Sequence, residues 1–124
     1  MGLSFSHGNY KSSYKGFNIL REVFTWDMFG VDLNKLRGYD GDESWPPELQ
    51  VSPAYVFLDH EDCDGDLKYK ELVLLLPLLY EWQAILRRKD PQVIDRRKIL
   101  RMQAADFTTA VELAIQNKTD LIFQ

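Results

Sequence analysis

The most informative stretch of this sequence is residues 59–72, which reads Asp-His-Glu-Asp-Cys-Asp-Gly-Asp-Leu-Lys-Tyr-Lys-Glu-Leu. Five acidic residues fall within the eight positions 59–66, around the single glycine Gly65. Carboxylates crowded in this way repel one another, and a hard cation between them would offset the repulsion. Calcium takes six to eight oxygen ligands, preferably carboxylates and carbonyls on a flexible loop. The segment therefore predicts a calcium-binding loop, and a metal-free acidic surface loop is the alternative.

Helical patterns lie on both sides of this loop. Ser52 and Pro53 form a typical N-cap followed by proline at the first helical position, and apolar residues fill 54–58. After the loop, a helix is predicted over 69–88, with a kink at Pro77 because proline removes a helical hydrogen bond. The whole segment thus predicts a helix-loop-helix.

Read from its glycine, the segment resembles the loop of an EF-hand. In that family, acids at loop positions 1, 3 and 5 precede a glycine at position 6, and a bidentate glutamate closes the site at position 12. Gly65 matches position 6, and Glu71 matches position 12. Leu67 matches the inward-facing aliphatic residue at position 8. The resemblance implies calcium as the cofactor, at the weak end of the range, bound by Asp59, Asp62, Asp64, Glu71 and the backbone carbonyl of Asp66.

The first ligand position allows two registers. A twelve-residue loop would start at His60, whose imidazole is a poor calcium ligand. A thirteen-residue loop with one inserted residue would start at Asp59, which places Leu58 and Tyr55 at the apolar positions of the preceding helix. We favour Asp59. A register that starts at Asp62 fails, because Leu67 would replace the glycine.

EF-hands normally occur in pairs, so a partner loop is expected upstream. Residues 25–36 offer Gly30 at position 6 but end on Leu36. Residues 32–43 end on Glu43 but have Arg37 in place of the glycine. Neither segment has the ligands to hold calcium well, and one of them is a candidate for a degenerate supporting half.

The Pro46-Pro47 pair predicts a short helical turn that carries Glu48 and Leu49. Two more helices complete the predicted architecture. One covers about Phe17–Met28, where apolar residues recur at three- and four-residue steps. The other begins at the Asp90-Pro91 pair and stops near Asn117. No segment alternates cleanly enough to predict a half-buried strand. The predicted fold class is therefore all-α.

The 124 residues have the length of one domain. We expect an extended N-terminal arm (1–16), a helix with a long loop (17–52), the helix-loop-helix (53–89) and a C-terminal helix with a tail (90–124). The single cysteine excludes an internal disulfide, and the formal charge of −4 argues against a nucleic-acid-binding protein. The longest apolar run, Leu72 to Tyr80, is too short for a membrane span.

The first residues also match two targeting patterns. Gly2 and Ser6 fit the N-myristoylation pattern, which would supply a membrane anchor. Residues 1–21 are basic, rich in serine and free of acids, as mitochondrial import segments are. An ordinary polar arm is the interpretation that we favour. The expected location is intracellular, either mitochondrial or cytoplasmic and cytoskeletal.

The function predicted from these features is that of a non-catalytic, EF-hand-like structural or accessory subunit of a larger protein assembly. Its partners would be other proteins, contacted through Leu72–Tyr80 and the aromatic-rich N-terminal segments, among them 38–52. The alternative is a calcium-responsive adaptor that opens to present a leucine-rich groove to a partner helix. No orienting histidine or pocket accompanies the carboxylates, so no enzyme is predicted.

Overall fold

The computed structural model describes residues 2–8, 10–37, 39, 41–59, 65–88 and 96–123. Over these ranges the chain is largely helical, which confirms the coarse prediction. The expectation that no strand would form is wrong, because two short antiparallel strand pairs are present. The elements in chain order are β1 (Gly2–Ser4), β2 (Lys11–Ser13), α1 (Tyr14–Phe29), α2 (Pro47–Gln50), α3 (Tyr55–Leu58), β3 (Asp66–Leu67), α4 (Tyr69–Arg88), α5 (Arg96–Gln116) and β4 (Leu121–Ile122).

The N-terminal residues form a hairpin, where an extended arm was predicted. β1 pairs with β2, and Leu3 lies opposite Ser12. Leu3, Phe5 and Tyr10 are buried in the core of this chain. The ring of Phe5 lies 4.8 Å from that of Phe123. The arm is therefore pinned to the molecule by its apolar side chains.

Helix α1 begins three residues before the predicted Phe17, because Ser13 caps it. The hydroxyl of Ser13 accepts a hydrogen bond from the backbone N–H of Gly16 at 2.9 Å. The helix ends at Phe29 and is capped by Gly30, whose left-handed φ of 68° suits a residue without a Cβ. Its inward face buries Phe17, Leu20 and Phe24.

The long segment between α1 and α3 folds back on the chain. It contains a 3₁₀ turn at Leu33–Lys35 and the short helix α2, which opens at Pro47 near the predicted position. The hydroxyl of Tyr39 donates to the carbonyl of Leu58 at 2.6 Å, and the indole of Trp45 donates to the carbonyl of Arg37 at 3.0 Å. Both aromatic residues thus contact their own chain, and the contact of 38–52 with neighbouring proteins stays a prediction.

The core lies between α1 and the antiparallel pair of α4 and α5. The ring of Phe57 stacks on that of Phe107 at 5.0 Å, and Trp82 meets Phe24 edge to face at 5.3 Å. The indole N–H of Trp82 donates to the Asp27 carboxylate at 3.1 Å. The predicted helix over 69–88 is confirmed, with Pro77 inside it.

Helix α5 ends at Gln116, one residue before the predicted stop. The predicted start at Asp90-Pro91 lies outside the described residues. Within the described ranges, no helix combines the length and apolarity needed to cross a membrane.

Candidate functional site: the loop between α3 and α4

The second half of the loop has the backbone that the EF-hand resemblance implies. Gly65 has a φ of 93°, a backbone conformation that residues with a Cβ rarely adopt. Leu67 follows in β3 and is fully buried. Helix α4 then begins at Tyr69, so Glu71 lies in its first turn.

The carboxylate of Glu71 stabilises the start of α4. Its Oε1 accepts a hydrogen bond from the backbone N–H of Lys68 at 2.9 Å. This is the returning half of a capping box, in which an acid in the first turn satisfies an N–H that the helix cannot pair. Glu71 therefore has a structural role, independent of any metal.

Asp59 lies at the other end of the loop, where it terminates α3. Its backbone N–H donates to the carbonyl of Tyr55 at 2.7 Å. Its carboxylate accepts a hydrogen bond from the hydroxyl of Tyr55, and this bond raises the pKa of that tyrosine. The side chain of Asp59 is exposed.

The side chain of Asp66 forms an ion pair. Its carboxylate lies 2.9 Å from the ammonium of Lys68, and the pKa of Lys68 is raised by the hydrogen bond and the charge of this partner. A lysine placed this way competes with a cation for the carboxylate. The EF-hand pattern uses the backbone carbonyl at this position, and the ion pair does not involve that carbonyl.

Two of the five predicted ligands, Asp62 and Asp64, lie outside the described residues, as do His60 and Cys63. Asp59, Asp66 and Glu71 are described. Across the ranges that the structure describes, no three or more histidine, cysteine, aspartate or glutamate side chains come together in a group that could hold a metal ion. Asp59, Asp66 and Glu71, the three predicted ligands within the described ranges, therefore do not form such a group by themselves.

Strand β3 pairs with β4, which follows α5. Asp66 lies opposite Ile122, and Leu67 opposite Leu121, in an antiparallel register. The backbone N–H of Phe123 extends the pairing by donating to the carbonyl of Gly65 at 3.0 Å. The strand partner of the loop thus comes from residues 121–123, which lie outside both upstream segments considered above.

Asp120 reinforces this connection from the residue before β4. Its Oδ1 accepts a hydrogen bond from the backbone N–H of Tyr69 at 2.8 Å, and its Oδ2 lies 3.6 Å from the Lys68 ammonium. At the start of α4, the N–H of Lys68 is thus satisfied by Glu71 from within the helix, and the N–H of Tyr69 by Asp120 from outside it. No local pattern signals the second contact.

The other edge of β4 binds the N-terminal segment. The N–H of Ser6 donates to the carbonyl of Ile122 at 2.9 Å, and the N–H of Ile122 donates to the hydroxyl of Ser6 at 3.0 Å. Phe5 and Phe123 form an antiparallel bridge beside them. β4 therefore lies between the loop and the N-terminal hairpin and holds both.

The apolar run Leu72–Tyr80 divides between the core and the surface. Leu72, Leu75 and Leu79 are fully buried. Leu74 and Tyr80 are 61% and 46% exposed. A groove made of the buried leucines would require α4 to separate from its neighbours.

Comparison with known proteins identifies no relative. No family model, curated protein or solved structure matches the chain. The functional argument therefore depends on the residues and contacts described above.

Proposed function

We propose that this chain is a non-catalytic, EF-hand-like structural or accessory subunit of a larger protein assembly. Its central unit is the helix-loop-helix 55–88, and a weakly bound calcium ion in the loop is an optional stabilising element. The support comes from the backbone of Gly65, the burial of Leu67 and the position of Glu71 in the first turn of α4.

The observation that carries the proposal is the attachment of the loop to β4. A calcium-responsive module works by changing the angle between its two helices. Here β3 is hydrogen-bonded to β4, and Asp120 caps α4 from outside. Separating α3 from α4 would break these contacts, or it would move β4 with the loop and break the hydrogen bond between Ile122 and Ser6. The contacts favour a fixed scaffold over a sensor.

Calcium would have a limited role in this scaffold. The proposed ligands are the carboxylates of Asp59, Asp62, Asp64 and Glu71 and the backbone carbonyl of Asp66. A bound ion would neutralise the crowded acids of the loop and hold its two ends together. The Lys68 ammonium already offsets part of that charge from outside, through Asp66 and Asp120.

Calcium titration separates this proposal from the responsive adaptor. Trp82 of α4 is fully buried against Phe24 and Asp27 of α1, so an opening that moves α4 away from α1 would expose it to water and shift its emission to the red. In a Trp26→Phe/Trp45→Phe variant, Trp82 is the only tryptophan left. Calorimetry on this variant reports binding, and fluorescence reports opening.

We expect either saturable calcium binding with unchanged Trp82 emission, or no binding at millimolar calcium. A red shift that saturates together with binding would contradict the scaffold and support the adaptor. The assembly is tested separately, by size-exclusion chromatography of a native extract that contains the tagged chain. Elution at a mass well above 14.5 kDa is expected, and elution as a monomer would contradict the proposal.

A further inference from the structure

Helix α4 has a second apolar face, opposite the one that lies in the core. Val73, Pro77, Tyr80 and Ala84 follow one another at steps of four, three and four residues, so they form one line along the helix. Leu74 lies beside this line and is 61% exposed; Val73 is 43% exposed. We call these five residues the outer strip. A surface helix normally presents polar residues on this side.

The spacing of the outer strip is that of a helix–helix contact. Apolar residues at alternating three- and four-residue steps form the seam of packed helices. Isolated exposed apolar residues are common, but a continuous line of them marks an interaction surface. Because Pro77 has no backbone N–H, the carbonyl of Val73 receives no helical hydrogen bond from that position. This carbonyl adds a polar acceptor to the strip.

One end of the outer strip is strongly basic. Arg87 and Arg88 are exposed at the end of α4. The hydroxyl of Tyr80 donates to the Glu112 carboxylate at 2.5 Å. This contact shows which residues of the antiparallel helices α4 and α5 lie side by side. With a rise of about 1.5 Å per residue, Arg88 is level with about residue 104, so the first turns of α5 extend to and past this end. From residue 81 to residue 106 the sequence has seven cations, Arg87, Arg88, Lys89, Arg96, Arg97, Lys98 and Arg101, against four acids, Glu81, Asp90, Asp95 and Asp106.

From this combination we infer that the outer strip and the basic end of α4 bind an amphipathic helix of a partner protein, whose apolar face covers the strip and whose acidic residues meet Arg87 and Arg88. The inference rests on the proposed function, since it names the kind of partner that the subunit contacts. Apolar burial would supply most of the affinity. The charges would fix the direction of the partner helix and speed its association.

A second copy of this chain fits the strip poorly. A two-fold pairing of two strips, centred between Pro77 and Tyr80, would place Lys70 of one copy opposite Arg87 of the other at both ends. Like charges in these positions repel. An acidic partner removes that repulsion.

A lipid surface also fits poorly. Helices that lie on membranes carry lysine and arginine along their polar face. In α4 the exposed cations flanking the strip are concentrated at its ends, and the exposed Glu81 lies on its flank. Charge at the ends suits a helix with a matching acidic end.

The direct test uses two synthetic helical peptides, each labelled with a fluorophore. Both carry leucines at steps of four, three and four residues, and one end bears either three glutamates or three lysines. Binding to the full chain is measured by fluorescence anisotropy. We expect the glutamate peptide to bind at least about tenfold more tightly than the lysine peptide.

Variants assign the two parts of the surface. Arg87→Glu/Arg88→Glu should reverse the peptide preference, while the charge-matched control Lys11→Glu/Lys15→Glu, on β2 and α1, should preserve it. Leu74→Gln should weaken the binding of both peptides by about tenfold, because it removes an exposed apolar contact. No binding of either peptide, or a preference unchanged by Arg87→Glu/Arg88→Glu, would overturn the inference.

Two further measurements identify other occupants. Light scattering of the purified chain would show a dimer that Leu74→Gln dissociates if a second copy covers the strip. Sedimentation with phosphatidylserine vesicles, lost in Arg87→Glu/Arg88→Glu, would show a lipid surface. Either result would overturn the inference.

The inference and the proposed function fail in different ways. If the tagged chain elutes in a large assembly and both α4 variants stay in it, the inference is wrong and the proposed function stands. If the unaltered chain elutes as a monomer, both are wrong.

Discussion

The Asp120 carboxylate caps helix α4 by accepting a hydrogen bond from the backbone N–H of Tyr69 at 2.8 Å, across a separation of 51 residues. Caps normally come from the residue that precedes the helix. Here the preceding residue is Lys68, whose side chain has no acceptor. The helix therefore obtains its acceptor from the residue just before β4, the strand that pairs with its loop, which links helix stability to strand pairing.

Asp120→Ala should lower the free energy of unfolding by about 1 kcal/mol, the usual cost of losing a side-chain cap. Asp120→Asn is the matched control, since its amide oxygen can still accept from Tyr69, and it should cost less. The exposed ion pair with Lys68 should add little. Urea unfolding of the three proteins measures the difference. Equal losses in both variants would mean that charge, and not the cap, is what Asp120 provides.

Neighbouring residues in β4 should differ sharply in their contribution to stability. Leu121 is fully buried and Ile122 is 49% exposed. Leu121→Ala should cost about 2–5 kcal/mol, as large-to-small changes in cores do. Ile122→Ala should cost much less, and it keeps the same backbone pairing. Thermal unfolding of both variants would contradict the observed register if Ile122→Ala were the more damaging.

Alkaline pH should destabilise the fold through Lys68, Tyr80 and Tyr55, whose pKa values are all raised. The pKa of Lys68 is raised above 10.5 chiefly by Asp66, and hydrogen bonding to Glu112 raises the pKa of Tyr80 above 10.0. The folded state thus holds all three protons more tightly than the unfolded state. This stabilisation is complete below the unfolded-state pKa values and is lost as pH rises through the folded-state values.

The free energy of unfolding should therefore fall as pH increases above about 10. Tyr80→Phe removes one of these three groups and should make the decline shallower. Spectrophotometric titration of tyrosine ionisation provides the matching readout: the variant should lose a late-titrating component. A late component that survives in Tyr80→Phe but disappears in Tyr55→Phe would assign it to the other shifted tyrosine.

Any calcium binding should be abolished by Glu71→Gln without loss of the fold. Glutamine can still accept from the N–H of Lys68, so the capping box is kept while the bidentate carboxylate is removed. Calorimetry measures binding, and circular dichroism checks the fold. Unchanged affinity in this variant would exclude the proposed site.

Two further variants test which residue is the first calcium ligand of the loop. Asp59→Asn should weaken calcium binding more than His60→Ala does, because the favoured loop begins at Asp59. The reverse order would support the twelve-residue register that begins at His60.

Helices were predictable because their signals are local. Pro47 marks the start of α2, and Asn117 follows the end of α5, both close to the observed bounds. The glycine position of the loop was equally readable, since Gly65 has the φ that its place in the pattern requires. Each of these signals needs only a few neighbouring residues.

The strands were not predictable because they are short and their partners are remote. β3 and β4 have two residues each, too few to show an alternating pattern. Ser6 contacts Ile122 across 116 residues, and the sequence around either residue does not indicate this pairing. The burial of Leu3 and Tyr10 was missed for the same reason, since it depends on core side chains supplied by distant helices.

The position of β4 also has a consequence for how the chain folds. Its pairing with Ser6 closes a circuit of almost the whole chain, and closing long circuits costs entropy before any contact is gained. During synthesis, the loop and the N-terminal hairpin have no strand partner until residues 121–123 have left the ribosome. The α4–α5 pair can form earlier. The last event in folding should therefore be the insertion of β4 between β3 and the N-terminal segment at Ser6.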